Sequence, residues 1–217
     1  MKRAILFLSL TLLAVGGCRF DKLSETTGSG TMKLEKRSVP AFAAVDVSGA
    51  YEVEIVVQQE QTLEVEGDDN LLPLIKTEVK NGVLNINNEK GFSTKHRLRV
   101  RISVPSLDAV STSGASNIVA SNVKSDDFKI DASGAGKMQI SGETKTLEVD
   151  ISGAGEIDAK DLRAQKVSIN SSGAAQADVY ASEELNADVS GAGNVNYYGN
   201  PKTVNEDRSG AGSISKK

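Results

Sequence analysis

The chain has 217 residues and a formal net charge of -4, from 25 basic and 29 acidic side chains. That balance gives no basic footprint for nucleic acid, and the length suffices for one sizeable core. Aromatics make up only 4% and Trp is absent, so a core must be built from Val, Ile, Leu and Ala. No Leu-rich stretch of helical period follows residue 17, so the composition favours an all-β fold.

Met1, Lys2 and Arg3 supply a positive end, and Ala4 to Val15 is an almost unbroken apolar run. The run is too short to stay across a bilayer, which predicts a secretion signal over residues 1–17. It closes as Leu13-Ala14-Val15-Gly16-Gly17-Cys18, similar to a bacterial lipobox, and makes Cys18 the expected lipidation site. The bland alternative is an ordinary signal with a chance cysteine. Cys18 is the sole cysteine, so no disulfide can form within the chain. Arg19 follows it, not the Asp that often retains lipoproteins at the inner membrane, which leans towards the outer membrane. Residues 18–31 are rich in Ser, Thr and Gly and predict a flexible tether, with the folded domain over residues 32–217.

Residues 32–106 alternate apolar and polar side chains at uneven intervals. Tyr51 to Val57, Thr62 to Glu66, Val83 to Asn87 and Leu98 to Val104 each read as a strand with one apolar face. Gly67-Asp68-Asp69-Asn70 and Asn81-Gly82 read as turns. Between them, residues 70–76 predict one short helix, with Asn70 as its cap and Pro73 in its first turn.

A repeat decides the fold class. Ser-Gly-Ala recurs at Ser113, Ser133, Ser152, Ser172, Ser190 and Ser209, at intervals of 20, 19, 20, 18 and 19, with an early copy at Ser48. A period near 19 matches one coil of a parallel β-helix, or β-solenoid. Before each corner the residues of one parity are apolar, as in Leu147, Val149 and Ile151, and after it comes a second inward set, as in Met138 and Ile140. Slipping one residue would bury charges, so the register is well specified. The last coil carries Glu206 and Arg208 at nominally inward positions, which reads as a polar cap on an open edge.

The glycine-rich corners do not make a phosphate loop, because a strand and not a helix follows each one. The structural reading is that Gly134, Gly153, Gly173, Gly191 and Gly210 adopt backbone angles closed to other residues. Alanines 135, 154, 174, 192 and 211 would then form a small-residue column where coils crowd. Two residues before each serine stand Asp131, Asp150, Asn170, Asp188 and Asp207, matched by Asp46 in the early copy. They form an outward ladder. A row of weak calcium sites on Asp131, Asp150, Asp188 and Asp207 is one reading; the favoured one is hydrogen bonding from Asp and Ser to the corner amides. The single histidine, His96, and a cysteine committed to lipid give no basis for a hydrolase triad or zinc site, and no cofactor is implied.

Phe42 to Tyr51, Val65 to Leu72, Val104 to Leu107 and Ser209 to Ile214 together resemble the auto-transporter adhesin head GIN domain family, widespread in Bacteroidetes and often lipoproteins. The resemblance extends over residues 32–217. It implies a β-helix-like fold and an adhesive or envelope role, with no catalytic residues to carry over. The expectation is therefore a non-enzymatic, lipid-anchored envelope protein that binds carbohydrate or protein along its faces. The alternatives are a polysaccharide-active β-helix enzyme, or a structural or sensory envelope component without a soluble ligand. The short loops leave little from which to build a catalytic cleft.

Overall fold

The computed structural model describes residues 26–217. Cys18 and the signal lie outside the described residues. The fold is all-β, as expected, and nearly all of it is one 15-stranded sheet wound into coils.

The chain opens with β1 (Thr26–Thr27), β2 (Met32–Lys36), β3 (Ala44–Val47), β4 (Glu52–Val57) and β5 (Thr62–Asp68). It continues through β6 (Ile75–Lys80), β7 (Val83–Asn88), β8 (Phe92–Ser93), β9 (Arg99–Val104) and β10 (Ala109–Thr112). The long strands β11 (Asn117–Ala132), β12 (Lys137–Ile151), β13 (Glu156–Ser171) and β14 (Gln176–Val189) follow, each holding one leg before and one leg after a bend. β15 (Asn194–Tyr198), β16 (Thr203–Arg208) and β17 (Ser213–Lys216) close the stack.

From β10 onward every pairing is parallel and each coil lies on the one before it. The side chains read as inward are buried in both legs, including Phe128, Leu147, Ile140, Val149 and Ile169. The physical cause is the two-residue period of an extended chain: once one residue per leg points inward, its parity mates follow.

The early Ser-Gly-Ala copy takes its place in the same stack, out of chain order. β3 pairs with β10 and β4 with the first leg of β11, so Ser48-Gly49-Ala50 is the coil next to Ser113-Gly114-Ala115 although 65 residues separate them. One level further out, β7 pairs with β3 and β9 with β4, all parallel. The stack therefore runs 83–104, then 44–57, then 109 to the end. Antiparallel strands finish the first end, where β6 folds back on β7 and β5 lies between β2 and β9. Asn81 (φ 52) and Gly82 (φ 77) make the tight hairpin turn between β6 and β7, as the Asn-Gly pair predicts.

Several expectations are corrected. The helix over residues 70–76 shrinks to a single 3-10 turn, Leu72–Leu74, and β6 already begins at Ile75. Asn70 does not cap it; its side chain binds the Ser29 amide and the Thr27 carbonyl. Arg37 serves the turn instead, donating to the carbonyls of Leu72 (2.7 Å) and Ile75 (2.6 Å). Gly67 and Asp68 belong to β5 and not to a turn. Of the stretch read as tether, residues 26–31 are docked: β1 pairs with β8, and the Gly28 amide donates to Ser93 O.

The corner glycines are needed for a reason other than the one expected. None of Gly134, Gly153, Gly173, Gly191 and Gly210 has a positive φ. Their backbones pass too close to the neighbouring coil for any side chain: a Cβ on Gly134 would fall 1.8 Å from Gly114 O, and one on Gly153 1.9 Å from Gly134 O. The crowding is at the glycines, and Ala135, Ala154, Ala174, Ala192 and Ala211 face solvent.

Candidate functional site

The outward ladder is present, and longer than the repeat alone indicated. Register aligns Asp131, Asp150, Asn170, Asp188 and Asp207 on successive coils, and continues it through Ser111, Asp46 and Asn85 at the first end. Beside it, Ser152, Ser172, Ser190 and Ser209 line the other wall of an open groove of about 520 Å³.

The ladder is not tied to the corner amides. Those amides bond the carbonyls of the adjacent coil, as in Ala135 N to Gly114 O and Ala154 N to Gly134 O, both 3.0 Å. The serine hydroxyls also reach backwards, Ser133 to Thr112 O and Ser172 to Ile151 O. Side chains hold the acids instead. Lys129 donates to Asp150 at 2.8 Å and to Glu148 at 2.6 Å, and Asn170 donates to the second oxygen of Asp150 at 3.1 Å. The Lys129 bond, then that of Asn170, holds the Asp150 carboxyl below its ordinary range. Asp46 is pushed the other way, first by burial and then by the charge of Asp131. Calcium seeks about six to eight oxygens converging on one point. Asp150 has both of its own engaged, and among the described residues no three His, Cys, Asp or Glu side chains converge as a metal shell. At Asp150 the ladder therefore offers a cation no free carboxylate oxygen.

A second outward face lies on the leg after the corner. Register sets Leu34, Glu66, Arg99, Glu52, Asn117, Lys137 and Glu156 in one row across seven strands. Ion pairs zip it: Arg99 to Glu52 at 3.1 Å and Lys137 to Glu156 at 2.7 Å, with Arg101 to Glu66 at 3.2 Å from the next row. Such exposed pairs add little stability but fix a regular mosaic of charge.

The single histidine, His96, packs beside a buried carboxylate. Its Nδ1 lies 3.3 Å from Asp68, a carboxylate only 1% exposed. Asp68 also accepts from the Gly30 amide at 2.7 Å and from the Thr94 hydroxyl. The Thr94 bond above all, with the Gly30 amide and His96, outweighs burial and holds the Asp68 carboxyl below its ordinary range. The result is a clasp that binds residues 26–31 to the domain; a Cβ on Gly28 would fall 2.5 Å from Asp68 Oδ2. Alternation reads Asp68 as one more turn residue, so nothing local marks this role.

At the far end, every residue of β16 is exposed, including Glu206 and Arg208 at the inward register. They stand 3.9 Å apart on the last coil.

The family model described as "Putative auto-transporter adhesin, head GIN domain" matches residues 41–201. The chain belongs to the head GIN domain family. Among curated proteins none matches. A crystal structure from Bacteroides fragilis NCTC 9343, described as a "putative adhesin", superposes with a TM-score of 0.75 at 23% identity, covering 88% of this chain and 99% of that one. A "putative lipid binding protein" from Parabacteroides distasonis ATCC 8503 gives 0.57 at 20% identity, covering 89% and 99%. A "putative adhesin" from Parabacteroides merdae ATCC 43184 gives 0.56 at 22%, again covering 89% and 99%. At these identities the likenesses establish the fold. They bear out the β-solenoid, while the family model bears out the family, which carries the coarse adhesin-like, envelope reading.

Proposed function

We propose that this head GIN protein is a non-enzymatic envelope lipoprotein, anchored through Cys18, that binds carbohydrate or protein along its solenoid faces. One observation carries the reading. Polar side chains recur at the coil spacing on two outward faces, so an extended polymer would meet a polar or charged group about every 4.8 Å. The catalytic alternative is weakened by Lys129, the basic side chain beside the acid ladder, which is already engaged by Glu148 and Asp150. The lipobox at Leu13 to Cys18 supports the anchor, and Arg19 favours the outer membrane.

The test has two parts. Protease shaving of intact cells should remove the domain if it is displayed outward, and Cys18→Ser should release it from the membrane fraction. A glycan array and a surface pull-down should each return signal above background for the wild type. Silence in both counts against the binding role, and a Cys18→Ser protein that stays with the membrane counts against the anchor.

A further inference from the structure

We infer that the groove along the bend of β11 to β14 is a subsite for a carboxylate-bearing sugar, a uronate, recognised by Arg163 held on the ring of Tyr180. The inference rests on the binding role proposed above and names its ligand class.

This groove has a volume of about 700 Å³ and lies at the bend within β11 to β14, away from the Ser-Gly-Ala turns. Lys124, Lys145, Arg163 and Tyr180 come to it from four successive coils, a span of roughly 14 Å at the coil spacing. Each coil step is close to the length of one sugar residue in an extended glycan.

Its charges are not equivalent. Lys124 is paired with Glu143 at 3.1 Å and Lys145 with Asp126 at 2.8 Å. Arg163 has no carboxylate within ion-pair distance among the described residues. Its guanidinium lies 4.3 Å from the centre of the Tyr180 ring. On a chain with net charge -4 the groove thus holds three cations against two carboxylates. The surplus of one positive charge suits a singly charged group better than a phosphate dianion.

The ring positions the cation without neutralising it. Stacking on an aromatic face orients a guanidinium and leaves its N–H edge free, and that edge matches a carboxylate in a two-bond fork. Tyr180 is itself braced. It shares a register position with Arg163 on one side and Tyr198 on the other, and the Gly199 backbone crosses so close that a Cβ there would fall 3.2 Å from the ring and 2.2 Å from Ala181 O. Gln165, on the same wall, is exposed and engages no other group among the described residues, which leaves an amide for sugar hydroxyls. A purely structural cation–π pair would account for the stacking alone. It would not account for an unpaired guanidinium at a groove where both other cations are paired.

The experiment titrates the full chain with trigalacturonate and with its methyl ester, at low salt, by calorimetry. The acid should bind at least tenfold more tightly than the ester. Charge-assisted bonds of this kind correspond to roughly 10- to 100-fold in affinity, and Arg163→Gln should lose about that much for the acid while leaving the ester unchanged. Arg163→Lys should fall between, because it keeps the charge and loses the fork. Tyr180→Leu should weaken the acid too, since the guanidinium loses its support. Lys90→Gln, an exposed site away from the groove and from both outward faces, should bind as the wild type does, and matched melting curves keep folding out of the comparison. Equal binding of acid and ester, an unaffected Arg163→Gln protein, or no heat with trigalacturonate would overturn the subsite. A glycan array that still scores in that case would leave the wider binding role standing, so the two failures are told apart.

Discussion

From Ala109 onward, coil is laid on coil by one repeated device. A corner amide bonds the carbonyl of the coil before it, and a glycine lets the backbones pass. In residues 26–108 the same core is finished by particular side chains: Arg37 on the carbonyls of the 3-10 turn, Asp68 on Gly30 and Thr94, and the Tyr51 hydroxyl on Asn88. The contrast shows two ways to stabilise one architecture. A repeat spreads its stability over equivalent backbone bonds, so its weak points are steric. An irregular end concentrates stability in a few partly buried polar contacts, so its weak points are chemical.

The sharpest break of this comparison is Gly153→Val. Its Cβ would meet Gly134 O at 1.9 Å, and the coils cannot part at one corner without losing their register. We expect a loss of about 4 kcal/mol or more, the range of severe core lesions, seen as failed expression or a collapsed urea midpoint. Gly82→Ala in the irregular half makes the matched control. There a Cβ meets nothing within 4 Å, so only backbone strain of about 1 kcal/mol is at stake. If the two variants melt alike, the close approach is not what requires the corner glycine.

Leu147→Ala comes next. The side chain is fully buried in the middle of the stack, and its removal should cost about 2–5 kcal/mol by the same denaturation measurement.

Asp68→Asn tests the other half. Losing a charged acceptor from a buried site should cost about 1–3 kcal/mol and should expose residues 26–31 to limited proteolysis before the coils are touched. The pH signature gives a second readout. The folded pKa of Asp68 lies below its ordinary value, so its contribution is present above the unfolded value of about 3.9 and is lost as pH falls through the lower folded value. Asp68→Asn should therefore flatten the acid limb of the stability curve. Asp46 has the opposite sign: its pKa is raised, so its ionisation opposes folding at neutral pH. Asp46→Asn should leave stability unchanged or slightly higher.

The smallest effect is expected on the outward face. Lys137→Ala removes an exposed pair with Glu156 and should change stability by less than about 1 kcal/mol. A larger loss would mean that the charge mosaic supports the fold and not only its surface.

How much could be read beforehand follows from the same distinction. The inward parity of Leu147, Val149 and Ile151 was legible because alternation is local, and stacking identical coils can only reinforce it. The ladder through Asp131 and Asp150 was legible for the same reason. The pairing of Arg163 with Tyr180 was not, because register shifts at the bends alter which residues meet. Nor did alternation distinguish a buried Asp68 from an exposed turn residue. Its partners Gly30 and Thr94 are 38 and 26 residues away.

What the sequence determined by itself was the coil: its period, its apolar columns, its corners and the family it resembles. The period, the columns and the corners recur within about 19 residues, a distance over which backbone geometry is propagated by the chain itself, and the resemblance adds segments from both halves. The tertiary structure alone decided the order of the first coils, with residues 83–104 outside 44–57, and the docking of residues 26–31. It also decided why the corner residue must be glycine. Those outcomes depend on which distant backbones approach closely enough to bond or collide, and no local pattern encodes that.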